Sequence, residues 1–156
     1  MKIREIKEED LDKITYLAFH AQKREVPFDP ILRLSEDAQY YIHSWLKENL
    51  LMGGKILIAE HEGEIVGFIW GWIVQKPLEI FKVESIGYIY QVYVKEQLKN
   101  TTLNNKLLES ITRAFKEEGI KYIIADCYIK DTENIELYKS QGFEPRALTL
   151  MKKLEE

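Results

Sequence analysis

The stretch S-I-G-Y-I-Y-Q-V-Y-V-K-E-Q-L-K-N-T-T-L-N-N-K-L-L-E-S-I-T-R-A-F, Ser85 to Phe115, reads as a strand, a polar loop and an amphipathic helix in succession. Its strand part, Ile86 to Val94, is rich in β-branched and aromatic residues and carries no charge, as a central strand should. The alternation has one flaw. Ile89, Val92 and Val94 have the character of core residues, yet Ile89 and Val92 differ in parity, so strict period two would send them to opposite faces. One extra residue near Tyr90 to Gln91, a β-bulge, returns them to one side and leaves backbone groups without ladder partners. A change of buried face partway along the strand is the other reading.

The helix part carries Leu103, Leu107, Ile111 and Phe115 every four residues, with Leu108 and Ala114 beside them. That stripe faces a core. Asn100, Thr101 and Thr102 are N-cap types, and Lys99 and Lys106 flank the start, so N–H donors and positive charge converge there. Such a junction suits an anion, although an ordinary capped helix with solvated lysines has the same sequence.

Outward from this unit, Lys2 to Ile6 alternates as a strand, and Leu11, Ile14, Leu17, Ala18 and Ala21 line one face of a helix that Pro27 and Pro30 prevent from continuing past Val26. Ser35 is placed to cap a second helix bearing Ala38, Ile42, Trp45 and Asn49, with Tyr41 and Leu46 widening its apolar side, and Met52-Gly53-Gly54 stops it. Lys55 to His61 and Glu64 to Gln75 form two strand-like runs joined by Glu62-Gly63, a hairpin signal. The second run is apolar on both faces and so belongs at the centre of a sheet, where Gly71 between two tryptophans marks a close approach or relieves crowding. Glu117-Glu118-Gly119 ends the long helix. Tyr122 to Tyr128 is a further strand, Asp131 to Ser140 a short helix closed by Gly142, and Phe143 to Leu154 alternates enough for one or two last strands.

This order is α+β in three αβα layers: a mixed, mostly antiparallel sheet whose strands at Ile86 to Val94 and Tyr122 to Tyr128 pair in parallel through a helical crossover. A length of 156 residues, 46% of them hydrophobic, suits one domain spanning 1–156. The charged fraction of 31% and the net charge of −4 give no footprint for nucleic acid and favour a cationic or neutral partner. One cysteine excludes an internal disulfide framework, and three scattered histidines lack the spacing of a metal site, so no metal is expected. The charged opening K-I-R-E-I and the absence of a long apolar run predict a cytoplasmic protein without a membrane segment.

Three further stretches resemble one family in their order and spacing: I-R-E-I-K-E-E-D-L (Ile3 to Leu11), I-A-E-H-E-G-E-I-V-G-F (Ile58 to Phe68) and L-Y-K-S-Q-G-F (Leu137 to Phe143). The chain resembles the GCN5-related N-acetyltransferases, the GNAT superfamily. The family's central motif, V-x-P-x-[YF]-[RQ]-G-x-G-[IL]-[GA], laid on Val94 and Leu107, puts Lys99 at the Arg/Gln position, Asn100, Thr102 and Asn104 at the small positions, and Leu98 and Leu103 at the apolar ones. The apolar frame matches and the glycines are replaced, with β-branched Thr102 the residue least suited to a left-handed conformation.

The resemblance implies an acetyl-CoA-dependent transfer of an acetyl group to a primary amine of a small molecule or peptide, with a non-catalytic ligand-sensing or partner-binding module on the same fold as the second reading, and homodimerisation open. It implies that the two parallel strands splay to admit the pantetheine arm. In that reading Val92, Tyr93 and Val94 hold pantetheine through their backbone. Lys99, Asn100, Thr101, Thr102, Leu103, Asn104 and Asn105 hold the pyrophosphate, and Asp131 stands where the family usually has Asn. Tyr138, the tyrosine of L-Y-x-x-x-G-F, is implied as the acid for the leaving thiolate. Asp126, a carboxylate expected within an apolar strand and raised in pKa by burial, is the candidate base; Tyr88, Tyr90, Gln91, Tyr93 and Glu84 are its rivals. Cys127 reads as core filling. Gln22 to Leu34, joining the first two helices, is the segment implied to meet the acceptor.

Overall fold

The central strand of the sheet is Glu64–Gln75 (β3), because only a strand covered on both faces can be apolar at every position from Ile65 to Trp70. The structure is a computed structural model that describes residues 1–155. Five strands lie in the order β1-β2-β3-β4-β5, namely Lys2–Glu5 (β1), Lys55–His61 (β2), β3, Ser85–Val94 (β4) and Ile123–Ala125 (β5). All neighbours are antiparallel except β4 and β5, which are parallel. The β2–β3 connection is the expected tight hairpin: Glu62 and Gly63 take φ of 51° and 80°, the two positive values a two-residue primed turn requires.

Two helical layers cover this sheet. Helices Leu11–Glu25 (α1) and Ala38–Leu51 (α2) pack over Ile56, Ile58, Phe68 and Trp70, with Ile14, Leu17, Ile42 and Leu46 as their contribution. On the other face, Leu103–Glu117 (α3) buries Leu103, Leu107, Leu108, Ile111 and Phe115 against Ile69, Ile89, Val92 and Val94. Each of those five side chains contributes about 1.5–3 kcal/mol of gross transfer free energy. Thr132–Ser140 (α4) adds Tyr138 to the same cluster. The three-layer arrangement and the mixed sheet agree with expectation.

The bulge lies where parity demands it. Trp70 pairs with Gln91 and Gly71 with Ile89, leaving Tyr90 as the extra residue, and Ile89, Val92 and Val94 all face the α3 layer. A Cβ on Gly71 would run into the Tyr88 carbonyl oxygen, so that glycine is a close approach of backbone to backbone.

Several boundaries differ from the sequence reading. The second helix starts at Ala38 behind Asp37, because residues 35–38 close a turn in which Ala38 N–H donates to Ser35 O at 3.2 Å, and Ser35 caps nothing. The strand expected over Tyr122 to Tyr128 keeps only Ile123–Ala125, because beyond Ala125 it leaves β4 and has no ladder. Phe143 to Leu154 forms no strand: the alternation is present, but no neighbouring edge pairs with it, and Leu148, Leu150 and Leu154 are exposed. Tyr41 and Trp45 are exposed on α2, and Cys127 is exposed instead of filling a core. Among the described residues no helix is long and apolar enough to cross a membrane.

Candidate active site

The site begins at the bulge. Only Gly87 to Ile89 of β4 pair with β5, so from Tyr90 onward the two parallel strands separate. Lys95 N–H donates to Val66 O at 2.9 Å on the β3 side. Backbone groups alternate along a strand, so those of Val92 and Val94 point away from β3 into the gap, while those of Tyr93 turn to β3. Of the three residues expected to hold an extended ligand through backbone, Val92 and Val94 therefore present free groups.

Below the gap lies the start of α3. Thr101 Oγ1 accepts from Leu103 N–H at 3.3 Å and donates to Leu98 O at 2.6 Å. The N–H groups of Thr102, Asn104 and Asn105 have no acceptor among the described residues. Three donors at a helix N-terminus favour an anion. The loop needs no left-handed residue: Thr102 has φ of −80°, and the one positive φ outside glycine among the described residues is at Glu62. Conformational freedom is thus not what the family glycines would add here. Lys99 is not a free cation, because Glu96 holds its Nζ at 2.6 Å, raising the lysine pKa, and Glu133 lies at 4.0 Å.

Asp131 is the N-cap of α4, accepting from Asn134 N–H at 3.3 Å and Asn134 Nδ2 at 2.9 Å. It is 3% exposed, and Arg24 Nη2 donates to it at 3.1 Å. That pairing neutralises the carboxylate from α1, and capping occupies it. Tyr138 is 7% exposed, its ring edge-on to Phe143 at 5.1 Å. Its hydroxyl has no hydrogen-bond partner among the described residues. Burial, followed by the nearby Cys127, Asp131 and Glu25, pushes its pKa well above the usual tyrosine value, so it stays protonated.

Asp126 stands one residue past β5 and is exposed, its carboxylate accepting from Tyr88 OH at 2.6 Å. The burial expected of it within a strand does not hold. That environment belongs to a residue the sequence does not single out, Glu25, in the last turn of α1. Burial raises its carboxyl above the usual range, against the lowering effect of Gln91, whose Nε2 donates to Glu25 Oε1 at 3.3 Å. Gln91, buried at the bulge, stands in the sequence only as a rival group. Its partner lies 66 positions earlier, and the only signal for Glu25 is its place in the Gln22 to Leu34 segment.

A cavity of about 70 Å³ reaches Glu25, Gln91 and Tyr128, and a wider cleft of about 400 Å³ opens beside it under α2. Trp45, Trp70 and Tyr90 border both.

The comparisons with known proteins fit this architecture. The chain is similar over 99% of its length to a mutant of the BH1408 protein from Bacillus halodurans, which is covered in full, at 19% identity and a TM-score of 0.87. It is similar at 17% identity and a TM-score of 0.77 to a predicted acetyltransferase from Clostridium acetobutylicum solved with acetyl-CoA, over 98% of this chain and 96% of that one. A ribosomal-protein-alanine N-acetyltransferase from Brucella melitensis biovar Abortus is similar at 13% identity and a TM-score of 0.73, over 98% of each chain. No curated protein matches in sequence. Residues 14–143, from α1 to the end of the L-Y-K-S-Q-G-F stretch, match the acetyltransferase (GNAT) family, and the chain belongs to it.

Proposed function

We propose that the chain transfers the acetyl group of acetyl-CoA to the primary amine of a small molecule or peptide by direct attack. The observation that carries this reading is the gap itself: β4 and β5 part at Tyr90, the free backbone groups of Val92 and Val94 face the opening, and the unpaired N–H groups of Thr102, Asn104 and Asn105 lie at its base. Those groups fit an extended amide-bearing arm ending in a pyrophosphate. Acetyl-CoA supplies an activated acyl thioester there.

The chain's own residues handle the protons. Glu25 receives the proton that an ammonium must lose before its nitrogen can form the new N–C bond, and a carboxyl raised above its usual range is better matched to that task than an exposed one. Gln91 holds the Glu25 carboxylate in place. Tyr138 gives its phenolic proton to the thiolate as the C–S bond breaks and is reprotonated by the second proton, which the nitrogen sheds as the amide forms, so that the proton taken by Glu25 is the one released. One proton is released overall for each ammonium consumed. Asp126, paired with Tyr88, positions the end of β5.

The test pairs binding with pH. Isothermal titration with acetyl-CoA gives heat, and kcat/KM for an amine acceptor rises with pH through the elevated Glu25 pKa. Glu25→Gln removes that limb and lowers kcat by about 10²–10⁴ while leaving the acetyl-CoA Kd unchanged. No heat with acetyl-CoA would remove the reaction, and an intact pH limb in Glu25→Gln would remove the residue from it.

A further inference from the structure

The fold leaves one strand edge and one strand-like segment of the same chain without partners. The edge is that of β5, at the end of the sheet. Gly87 N–H donates to Tyr122 O at 3.0 Å, so by alternation Ile124 also turns its backbone to β4, while the N–H and C=O groups of Ile123 and Ala125 point outward. Among the described residues none meets them. An open row of this kind is a template for another strand.

Residues 144–155 are the matching half. Their backbone groups make no hydrogen bond among the described residues. The alternation in A-L-T-L-M-K-K-L, Ala147 to Leu154, puts Leu148, Leu150 and Leu154 on one face, and these are 79%, 88% and 88% exposed. Single exposed leucines are ordinary, but three on one face of an unpaired segment form a patch that association would cover.

A cover of the right kind lies at the same edge. Toward β5 the core beneath α3 is incompletely closed: Ile120, Ile123, Ala125, Leu137 and Phe143 pack on it and remain only partly buried. A strand laid along β5 with its leucines inward completes that core. In the single chain the segment does not do so, because Phe143 N–H is tied to Tyr138 O at 3.1 Å, Pro145 follows without a donor, and the residues beyond are exposed.

We infer that two copies of the chain exchange these segments, each adding Ala147 to Leu154 as a sixth strand on the β5 edge of the other. The exchange is reciprocal and closes at two. Each copy contributes six exposed apolar side chains, namely Leu148, Leu150, Met151 and Leu154 with Tyr122 and Ile129 flanking β5. At roughly 100 Å² apiece the dimer removes on the order of 1,200 Å² from water, above the roughly 1,000 Å² that a specific interface needs. The same pairing holds β5, one wall of the gap, from its outer side as well as from β4.

Sedimentation equilibrium of the full chain, with amide hydrogen exchange read by mass spectrometry, tests this. A dimer is expected, with the amides of residues 123–125 and 147–152 slowed together and released together on dilution. Leu148→Lys with Leu150→Lys changes side chains that are exposed in the single chain, so the amides of α1 and α3 stay protected. It is expected to weaken dimerisation at least about 100-fold, since two buried leucines are lost on each side, and to release both slowed segments. A monomer at every concentration overturns the inference. So does a dimer whose segment exchanges freely, which would place the contact elsewhere, and so does a monomer with a protected segment, which would seat the segment on its own β5.

Discussion

Gly71→Ala is the sharpest perturbation of the geometry that opens the site. A Cβ there would overlap the Tyr88 carbonyl oxygen and lie 3.3 Å from Ile111 Cδ1 and from Ile89 Cα. Relieving the overlap needs backbone movement on the order of 1 Å to restore a normal contact. Tyr88 is not free to move, because it pairs with Trp72 of β3 on one side and Ile124 of β5 on the other. Overpacking of this kind costs about 1–3 kcal/mol, and a lost ladder hydrogen bond about 1 more. The reduced freedom of the unfolded alanine chain returns about 0.4–1 kcal/mol, for a net loss of about 1.5–3. Urea unfolding followed by tryptophan fluorescence reads this directly: with a slope of about 2 kcal/mol/M the midpoint falls by about 1 M. Gly54→Ala is the control. Its Cβ would overlap the Asn49 side-chain amide alone, which can rotate away, so the loss there stays below about 1 kcal/mol despite the deeper overlap. If Gly71→Ala proves as mild as Gly54→Ala, the sheet around Tyr90 is slack and the bulge is not fixed by this contact.

Tyr138→Phe keeps the ring packed on Phe143 and should lower kcat with the acetyl-CoA Kd unchanged; equal losses of both would make Tyr138 a packing residue. Asp10 accepts from Arg4 at 2.7 and 3.1 Å and from Lys7 N–H at 2.7 Å, and the Arg4 hydrogen bonds hold its carboxyl below the usual range. A lowered folded pKa means that its stabilisation is complete above the unfolded value of about 3.9 and is lost as pH falls through the folded one. Asp10→Ala should therefore cost about 2–4 kcal/mol at neutral pH in urea unfolding, with the gap to wild type closing in acid. Glu96→Gln frees Lys99 and removes a negative charge near the start of α3, so acetyl-CoA should bind more tightly at low salt, with the gain shrinking as salt rises; a salt-independent or absent gain would place Lys99 outside the phosphate's reach.

Parity within β4 is enough to place the bulge, because Ile89, Val92 and Val94 must share a face and only one added residue allows it. The α3 stripe and the Glu62-Gly63 turn are equally plain, since each is a local rule carried by local residues. The extent of β5 is not local: the sequence favours extended chain through Tyr128, but a strand exists only where its neighbour stays in reach, and the splay ends that at Ala125. The same logic removes the strands expected after Phe143. Trp45 and Tyr41 fit the apolar side of α2 by period alone, yet period does not report where a helix overhangs its sheet, and the aromatic cleft comes from that overhang. Glu25 is hidden for a different reason. What makes it chemically distinct is desolvation next to Gln91, and a carboxylate in a mixed-charge segment carries no sign of it.

The Arg24–Asp131 pair joins the last turn of α1 to the cap of α4 across 107 positions of sequence. A chain that ends after α3 carries β1 to β4 and the residues of the α1–α2 core, but it lacks β5, the Asp131 cap and the Tyr138 that completes the core beneath α3, so it has no parallel strand pair and no gap. Synthesis delivers the N-terminal elements first. The opening between β4 and β5 therefore exists only once the C-terminal elements are in place, and the Arg24–Asp131 pair ties their arrival back to the first helix.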